Sequence, residues 1–596
     1  MKKEKLEKMR HSCAHAVAAA IEELFPGTKF GVGPVVEHGF YYDVKTPKVL
    51  TEADLKRIEK RAKKIISQKK DFEREEMGMD EAIEFFLEKD QDYKVSLLKD
   101  LKEKGTTKMS AEELQDLGDS VDSVSVYKTG KFVDLCRGPH VENTSEIGEF
   151  TLTKIAGAYW RGDENNDQLQ RVYGICFETK KELKAHLEML EEAKKRDHRK
   201  LGKDLDLFTF SDLVGPGLPL WTPRGTLLRN ILDEYVWELR SEKGYEKVSI
   251  PHITKKDLYE KSGHWDKFSD GLFKINTREG HEFAMKPMNC PHHTQIFAHL
   301  QRSYRDMPQR YAETTTCYRD EQTGELHGIS RTRAFSQDDA HVFCRQSQVK
   351  EEFLKIWDII DTFYPAVGFE DLSVRLSLHD PDNFDAYLGT PELWGEAEKS
   401  IRELADERGV KYVEEKGEAA FYGPKVDFIA NDSIGREWQV ATLQLDINLP
   451  ERFNLNCINE KGEEEQIVMI HAAIMGSIER FLSIFIEHHA GAFPVWLSPV
   501  QIRFVAVSEK HVDSANKIAK EFVDSGIRVH VDDTDESVGK KIRNAAKQKI
   551  PYVVVVGDKE SNGEPWSIRV RGQEEQETME KDKFMERVLK EIKNRK

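Results

Sequence analysis

The sequence is poor in cysteine. Its seven, at positions 13, 136, 176, 290, 317, 344 and 457, form no CxxC pair and no dense framework. That argues against disulfides and for a reducing compartment in which the thiols stay free or bind metal, so a cytoplasmic protein is expected. No apolar run approaches the roughly 20 residues of a membrane span. The charged start MKKEKLEKMR leads into an amphipathic helix rather than a signal-peptide core, so neither membrane nor export is expected. GxxxxGK[ST] is missing, which excludes nucleotide handling of the P-loop kind. There is no internal repeat and no low-complexity tract. An excess of positive charge is lacking too: 90 Lys and Arg against 107 Asp and Glu leave a net charge of −17. Such a chain does not coat nucleic acid through bulk charge and no DNA partner is expected, but local basic surfaces leave room for a specific RNA.

A chain of 596 residues is too long for one core, and roughly three or four domains are expected. Leu6, Met9, Cys13, Val17, Ala20 and Leu24 recur every three or four residues, the stripe of an amphipathic helix. GVGPVV, GFYYDV, FVDLCRGPH and FTLTKIAGAYWRG read as strands and glycine turns around a lysine-rich helix at 52–70, so residues 1–178 form an α+β unit. The charged stretch KKELKAHLEMLEEAKKRDHRKLGKDL carries only a thin line of leucines and suits a linker helix at 179–202. From 203 to 493 many short apolar runs, with helices at 226–242 and 347–362, suggest a large antiparallel sheet with helices packed on it. In 494–596, QIRFVAV, IRVHVDD and PYVVVVGD alternate with helical stretches near 510–525 and 537–548, a small α/β domain with a mostly parallel sheet. The fold class is multidomain α+β.

Polar residues are densest between 313 and 341, ETTTCYRDEQTGELHGISRTRAFSQDDAH. Arg319, Arg331 and Arg333 flank a loop with Gly324 and Gly328, so two strands joined by a glycine turn aim several guanidiniums at one place. Converging arginines suit phosphate or carboxylate, which their planar forks grip bidentately; a salt-bridged surface hairpin is the bland alternative. CYRDE, a loop and RTRAFSQDDAH resemble motif 2 of the class II aminoacyl-tRNA synthetases, in which the first arginine binds the ATP α-phosphate and the amino-acid carboxylate. EYVWELRSEKGYEKVSIP, ending at Pro251, is similar to motif 1, the helix and strand at the dimer interface. IHAAIMGSIERF, with Gly476 and Arg480, is similar to motif 3. The three occur in order.

Cys290, His341 and His471 are joined by no local spacing, and each alone reads as structural. The words around them, KPMNCP, FSQDDAH, AAFYGPKVDF and MIHAAIMGSIERF, closely resemble the threonyl-tRNA synthetases, from about residue 8 to the C-terminal domain. The resemblance implies ATP-dependent ligation of L-threonine to tRNA(Thr) by a homodimer formed through motif 1, with a catalytic Zn²⁺ on Cys290, His341 and His471 and with Mg²⁺ accompanying ATP. It implies Asp339 beside the threonine hydroxyl, Met288 and Gln337 at the amino-acid pocket, and Tyr422 at the amino group. Gln439 and Gln444 fall near substrate and ligands, and Glu321 at adenine. Arg331 and Arg480 fall on the γ-phosphate, Arg480 also stacking on adenine. Three protein ligands and an open position are the arrangement of a substrate-binding zinc. Threonine and valine are nearly isosteric, and an apolar pocket separates such pairs by only about two orders of magnitude; serine, one methyl smaller, differs by about 1–3 kcal/mol, so a second site must remove it.

The N-terminal region resembles the editing domain of the bacterial-type enzymes. HSCAH supplies His11 and His15, and DLCRGPH supplies Asp134, Cys136 and His140, with Tyr42 in GFYYDV and Lys94 in DYKVS. At about 100° per residue His11 and His15 lie opposite the apolar stripe. With Cys136 and His140 they can form a Cys-His₃ metal site, as a related domain of alanyl-tRNA synthetases does. The threonyl resemblance instead implies a metal-free pocket in which Lys94 and His11 help set a water against the ester of Ser-tRNA. Glu560, Arg569 and Arg571 fall where the family contacts anticodon bases. Three departures stand out. The small ubiquitin-like domain that precedes the editing domain in many bacterial members is not represented, which puts its function in doubt. His292 replaces a common glycine beside Cys290, able to perturb the zinc pocket or act as a stray ligand. Ala472 stands where arginine is frequent, which puts one contact in doubt. Rival readings are an inactive synthetase paralogue serving as a tRNA-binding or regulatory protein, marked by decay of the motif arginines and zinc ligands, and a prolyl or seryl enzyme. The intact residues argue against the first; the zinc positions and editing domain argue against the second.

Overall fold

Helix α1 (Lys2–Leu24) has its apolar stripe in place, yet the helix is buried on every side from Met9 to Ile21. In the computed structural model, which describes residues 2–104, 122–163 and 165–596, the chain divides into two units, Met1–Glu191 and Glu192–Lys596. In the first, Cys13, Val17 and Ala20 pack against α2 (Glu52–Ile66) and an antiparallel sheet in which β1 (Gly39–Lys45), β6 (Gln168–Phe177) and β5 (Glu149–Tyr159) are neighbours. The helix read at 52–70 stops at Ile66. A second antiparallel sheet, β2 (Glu73–Gly78), β3 (Ser123–Thr129) and β4 (Phe132–Leu135), packs on the side of α1 that carries the histidines. Helix α3 (Asp92–Lys104) brings Lys94 to the same place.

The connecting stretch is two helices, α4 (Lys180–Arg196) and α5 (His198–Asp204). Asp197 interrupts it because its carboxylate accepts from the Arg199 N–H at 2.8 Å, an N-cap that starts a new helix. After α6 (Pro223–Glu242), the second unit is built on an eight-stranded sheet. Its order is β7 (Glu246–Lys247), β8 (Gln309–Tyr318), β9 (Ala334–Cys344), β14 (Val468–Ser477), β13 (Glu437–Asp446), β12 (Lys425–Asn431), β10 (Leu372–Leu378) and β11 (Tyr412–Lys416). Only the two edge pairings are parallel. Helix α7 (Cys290–Ala298) precedes β8, α8 (Val349–Ala366) follows β9, and α9 (Ile478–His488) follows β14.

Strand alternation divides this sheet into a packed face and a functional face. Ala340, Val342 and Cys344 of β9, Ile470, Ala472 and Ile474 of β14, and Leu443 and Leu445 of β13 enter one core with α6, α8 and α9. The alternating residues, Gln337, Asp339 and His341, His471, and Gln444 and Asp446, therefore share the other face. The β9–β14 register slips between Asp338 and Ala340, where the single residue Asp339 faces residues 473–475, so the bulge is on β14 and β9 keeps its alternation. Asp338 points into the core. It forms an ion pair with Arg240 of α6 and accepts the Ile474 and Met475 N–H groups of β14, both at 2.9 Å.

The C-terminal part has a five-stranded sheet, β16 (Val529–Asp532), β15 (Ile502–Ala506), β17 (Tyr552–Val556), β18 (Trp566–Val570) and β19 (Gln576–Met579), parallel over the first three and antiparallel beyond. Helices α10 (Val512–Asp524), α11 (Val538–Lys547) and α12 (Lys581–Lys593) cover it. Ile502, Phe504 and Val554 enter one core, Val505 and Val553 another, which is why the strands read as unbroken apolar runs. Among the described residues no helix is long and apolar enough to cross a membrane.

Removing one partner of a buried ion pair strands the other charge, so Asp338→Ala is expected to cost about 3–5 kcal/mol. Denaturant unfolding followed by the tryptophans tests this, and an Arg240→Met, Asp338→Leu double variant should recover most of the loss.

Candidate active site

His341 and His471 lie directly opposite each other in the β9–β14 ladder, and Gln444 is opposite His471 on β13. His341 Nε2 stands 3.1 Å from His471 Nδ1. With the Cys290 thiol of α7, all three ligand atoms lie within 4.8 Å of one another. The other nitrogen of each ring is occupied: His341 Nδ1 is 2.7 Å from His293 Nδ1, and His471 Nε2 is 2.9 Å from Asp446 Oδ2. Outer partners of this kind fix which nitrogen faces a metal. Zinc bonds of about 2.0–2.1 Å in tetrahedral geometry put two nitrogens about 3.3 Å apart, so this donor set fits the ion. Burial first, then the charges of Asp339 and Asp446, push the Cys290 thiol well above its usual range. Burial and the neighbours His293 and His471 hold the His341 imidazole neutral. A cation would reverse this balance and draw out the thiolate.

Around this group, Asp339 accepts from Asn289 Nδ2 at 3.0 Å, and burial raises its pKa. The Tyr422 ring is 5.2 Å from that of His471. Gln444 Nε2 donates to the Gly423 carbonyl at 3.0 Å, and Met288 packs against the apolar cluster containing Cys290. Gln439 is exposed and donates to Asp427 Oδ1 at 2.7 Å.

Arg319 follows β8 and lies 5.4 Å from the Phe268 ring and 5.0 Å from that of Phe335. Its buried Nε has no hydrogen-bond partner among the described residues. A guanidinium on an aromatic floor with an open donor is a receptor for an anion. Arg480, in the first turn of α9, has its pKa lowered by partial burial and then by nearby Arg331. Gly476, at φ +66, turns the chain from β14 toward that helix, and Ser477 caps it by accepting from the Arg480 N–H at 3.2 Å. Arg331 is exposed and held by Glu321 at 2.6 Å and Glu325 at 3.0 Å, so Glu321 is engaged by an arginine here. Arg333 Nε donates to the Glu321 carbonyl at 2.9 Å.

In the first unit, His11, His15, Cys136 and His140 also bring their ligand atoms within 4.8 Å of one another. Cys136 Sγ is 3.3 Å from His11 Nε2 and 3.3 Å from His140 Nε2. Burial, then neighbouring His15, lowers the His11 pKa to about 3; burial lowers that of His15 to about 4. Burial and the two other histidines take His140 well down as well. Beside them Asp134 receives Lys94 Nζ at 2.8 Å and the Tyr42 hydroxyl. Burial pushes the Asp134 carboxyl up, but Lys94, His15 and Tyr42 outweigh it and hold it below its usual value.

Two departures resolve structurally. His292 is buried, its ring 6.2 Å from that of Tyr259, and it stands outside the Cys290 donor group. Ala472 is in the core on the face away from His471, so a substrate contact is not available to it. Arg571 is committed to the Lys549 and Phe493 carbonyls at 2.7 and 2.6 Å, and Glu560 Oε2 accepts the Gly557 N–H at 3.0 Å. Sequence reading missed Asn289, His293 and Asp446. Asn289 and His293 lie inside KPMNCPHH, and Asp446 shares a strand face with Gln444, so a signal existed. It also missed His264, whose Nε2 is unpartnered among the described residues and whose ring is 6.3 Å from that of Tyr422; nothing local marks it.

Family models match three segments: the class II tRNA synthetase core domain (G, H, P, S and T) over 273–489, an anticodon binding domain over 499–591, and the threonyl and alanyl tRNA synthetase second additional domain over 124–173. With the antiparallel sheet and its three motifs, these define a class II aminoacyl-tRNA synthetase. Proteins named threonine–tRNA ligase from Porphyromonas gingivalis and Cytophaga hutchinsonii are 48% and 46% identical over 98% of this chain, which covers 87% and 88% of theirs. The RNA binding domain of threonyl-tRNA synthetase from Cryptosporidium parvum matches at 35% identity and a TM-score of 0.63, over 66% of this chain and 98% of that one. The chain belongs to the threonyl-tRNA synthetase family.

The buried histidines carry a pH signature. Below the ordinary histidine pKa of about 6.5 the unfolded chain takes up protons that folded His11 and His15 refuse until about 3 and 4. Stability of the metal-free first unit is therefore expected to fall as pH drops from about 6.5 toward 4, by about 1.4 kcal/mol per pH unit for each such group. Unfolding midpoints at pH 7, 6 and 5 measure this, and His11→Gln should flatten the slope.

Proposed function

We propose that the chain activates L-threonine with ATP, transfers it to tRNA(Thr) with release of AMP and diphosphate, and hydrolyses Ser-tRNA(Thr) formed in error. The observation that carries the synthetic activity is the buried Cys290, His341 and His471 donor set on the same sheet face as Asp339 and Gln337, beside the anion-receptive Arg319. Arg319 holds the threonine carboxylate and the α-phosphate together, so the carboxylate attacks in line. Arg331 and Arg480 hold the γ-phosphate and draw the diphosphate away with Mg²⁺, and Glu321 borders adenine. This is positioning and charge stabilisation rather than acid–base chemistry. Tyr422 orients the amino group, with Met288, Gln439 and Gln444 closing the pocket. A zinc ion on Cys290, His341 and His471 would supply a Lewis-acidic centre for the amino and hydroxyl groups of threonine. Asp339 accepts a hydrogen bond from the threonine hydroxyl, a bond that valine cannot give. The six residues whose decay would mark an inactive paralogue, Arg319, Arg331, Arg480, Cys290, His341 and His471, are intact.

Serine satisfies all these contacts, so hydrolysis falls to His11, His15, Cys136 and His140 with Lys94, Asp134 and Tyr42. Their spacing would accept a metal, but the adjacent carboxylate, Asp134, is already neutralised by the Lys94 ammonium. That supports the metal-free reading, in which neutral His11 and Lys94 set a water against the seryl ester. The same resemblance supports a division into an editing domain (1–178), a linker (179–202), a catalytic domain (203–493) and an anticodon-binding domain (494–596), a homodimer through the motif 1 segment ending at Pro251, and action in the cytoplasm.

Amino-acid-dependent pyrophosphate exchange with threonine, serine, valine and proline tests the first activity, with zinc measured on the same sample. Threonine should dominate, serine follow and valine and proline be inactive; exchange absent with threonine sinks the reading. His341→Ala should lose both the zinc and threonine activation. Ser-tRNA(Thr) hydrolysis should survive chelation and drop at least 100-fold in His11→Ala, by the usual weight of a positioned acid–base group, about 10²–10⁴. Loss on chelation alone would assign the first-unit cluster to a metal.

A further inference from the structure

A histidine in the connecting stretch touches the elements that carry both γ-phosphate arginines. His198 begins α5 and is 1% exposed. Its Nδ1 lies 2.7 Å from Glu487 Oε1 of α9, and its own backbone N–H donates to the same oxygen at 3.1 Å. The other oxygen of Glu487 accepts from Arg436 Nη2 at 2.6 Å, so the carboxylate is fixed from both sides. On the opposite edge of the ring, the Ile329 N–H donates to His198 Nε2 at 3.3 Å. Because a donor points at Nε2, the partners assign the proton to Nδ1 and a neutral ring to His198.

The turn that carries Ile329 is shaped for this ring. Gly328 has φ +52, and a Cβ there would stand 2.2 Å from His198 Nε2, so only glycine lets the backbone close on it. The Ile329 side chain is fully buried in the core. His327 and Arg331 pair across the turn, the His327 N–H donating to the Arg331 carbonyl at 3.2 Å and the Arg331 N–H to the His327 carbonyl at 3.4 Å. Arg331 therefore leaves the turn where it is anchored. At the other end of the relay, Glu487 follows Arg480 by seven residues on α9, about two turns, which puts both on one side of the helix.

We infer that His198 is a positioning residue for adenylation: it ties the turn bearing Arg331 to the helix bearing Arg480 and so sets the span between the two guanidiniums. The inference rests on the assignment of both arginines to the ATP γ-phosphate. Their like charges repel while ATP is away, and Arg331 is exposed with Glu321 and Glu325 as competing partners. A buried anchor keeps the pair preorganised for the phosphate.

Threonine-dependent pyrophosphate exchange on the full chain, with ATP and threonine varied separately, tests this. His198→Asn keeps a nitrogen donor near the Nδ1 position for Glu487 but offers nothing to Ile329. It should raise the ATP KM about five- to tenfold, the worth of one buried hydrogen bond, with the threonine KM near its starting value and the melting temperature lowered by only a few degrees. His198→Gln, whose side-chain oxygen reaches the Nε2 position, should recover part of the ATP KM. Gly328→Ala, which pushes the turn off the ring without removing any arginine, should behave as His198→Asn does. An unchanged ATP KM in His198→Asn and Gly328→Ala, while Arg331→Ala raises it, overturns the inference. So do parallel losses for both substrates that track the melting temperature, which would make the role mere packing. If Arg331→Ala itself leaves the ATP KM unchanged, the γ-phosphate assignment falls and the inference falls with it.

Discussion

The catalytic unit depends on one buried ion pair, Arg240 with Asp338. Asp338 is on the central strand β9, Arg240 on the helix of motif 1, and the amides that complete the carboxylate's shell belong to Ile474 and Met475 of motif 3. The three motifs thus meet at a single carboxylate. Breaking such a pair is costly because the low-dielectric interior does not solvate the charge left behind. The pair also sets parity: with Asp338 held in the core, its neighbours at 337, 339 and 341 must face the other way. Gln337, Asp339 and His341, the β9 side chains proposed to meet the substrate, owe their direction to that constraint.

Much of the architecture could be read in the sequence, and the reasons differ by region. The apolar runs of β15 and β17 read as buried parallel strands because both faces are covered. The helices α6 and α8 lie within a few residues of the spans read at 226–242 and 347–362. The Cys290, His341 and His471 group was invisible to spacing because it is made by cross-strand register, His341 against His471 over 130 residues of sequence; the surrounding words brought it out. Two aspartates in QDDAH have opposite fates, Asp338 turned into the core and Asp339 to the other face of the sheet, and only the strand's parity tells them apart. The His198 relay was not legible, since its partners, Glu487 and Ile329, lie far along the chain.

Two clusters of histidine and cysteine in one chain show how surroundings assign chemistry to the same ligands. The sheet cluster has Asp446 behind His471 and a second carboxyl, Asp339, on the same face, an environment that welcomes a cation. The first-unit cluster has Lys94 1% exposed and locked to its neighbouring carboxylate. Counting ligands alone would have ranked the four-residue set above the three-residue set. Charge balance reverses that order.

Helix α1 is at once the centre of a core and the carrier of two site residues, with its stripe packed on one sheet and its histidines packed under another. A helix used on both faces has no spare side on which to absorb change. Substitutions that loosen it strike packing and proofreading together, while the activating chemistry draws on a different part of the chain. With the first-unit histidines as the proposed editing residues, fidelity and output would be separable by substitution: a change in α1 would strike correction of tRNA and leave its charging to the second unit.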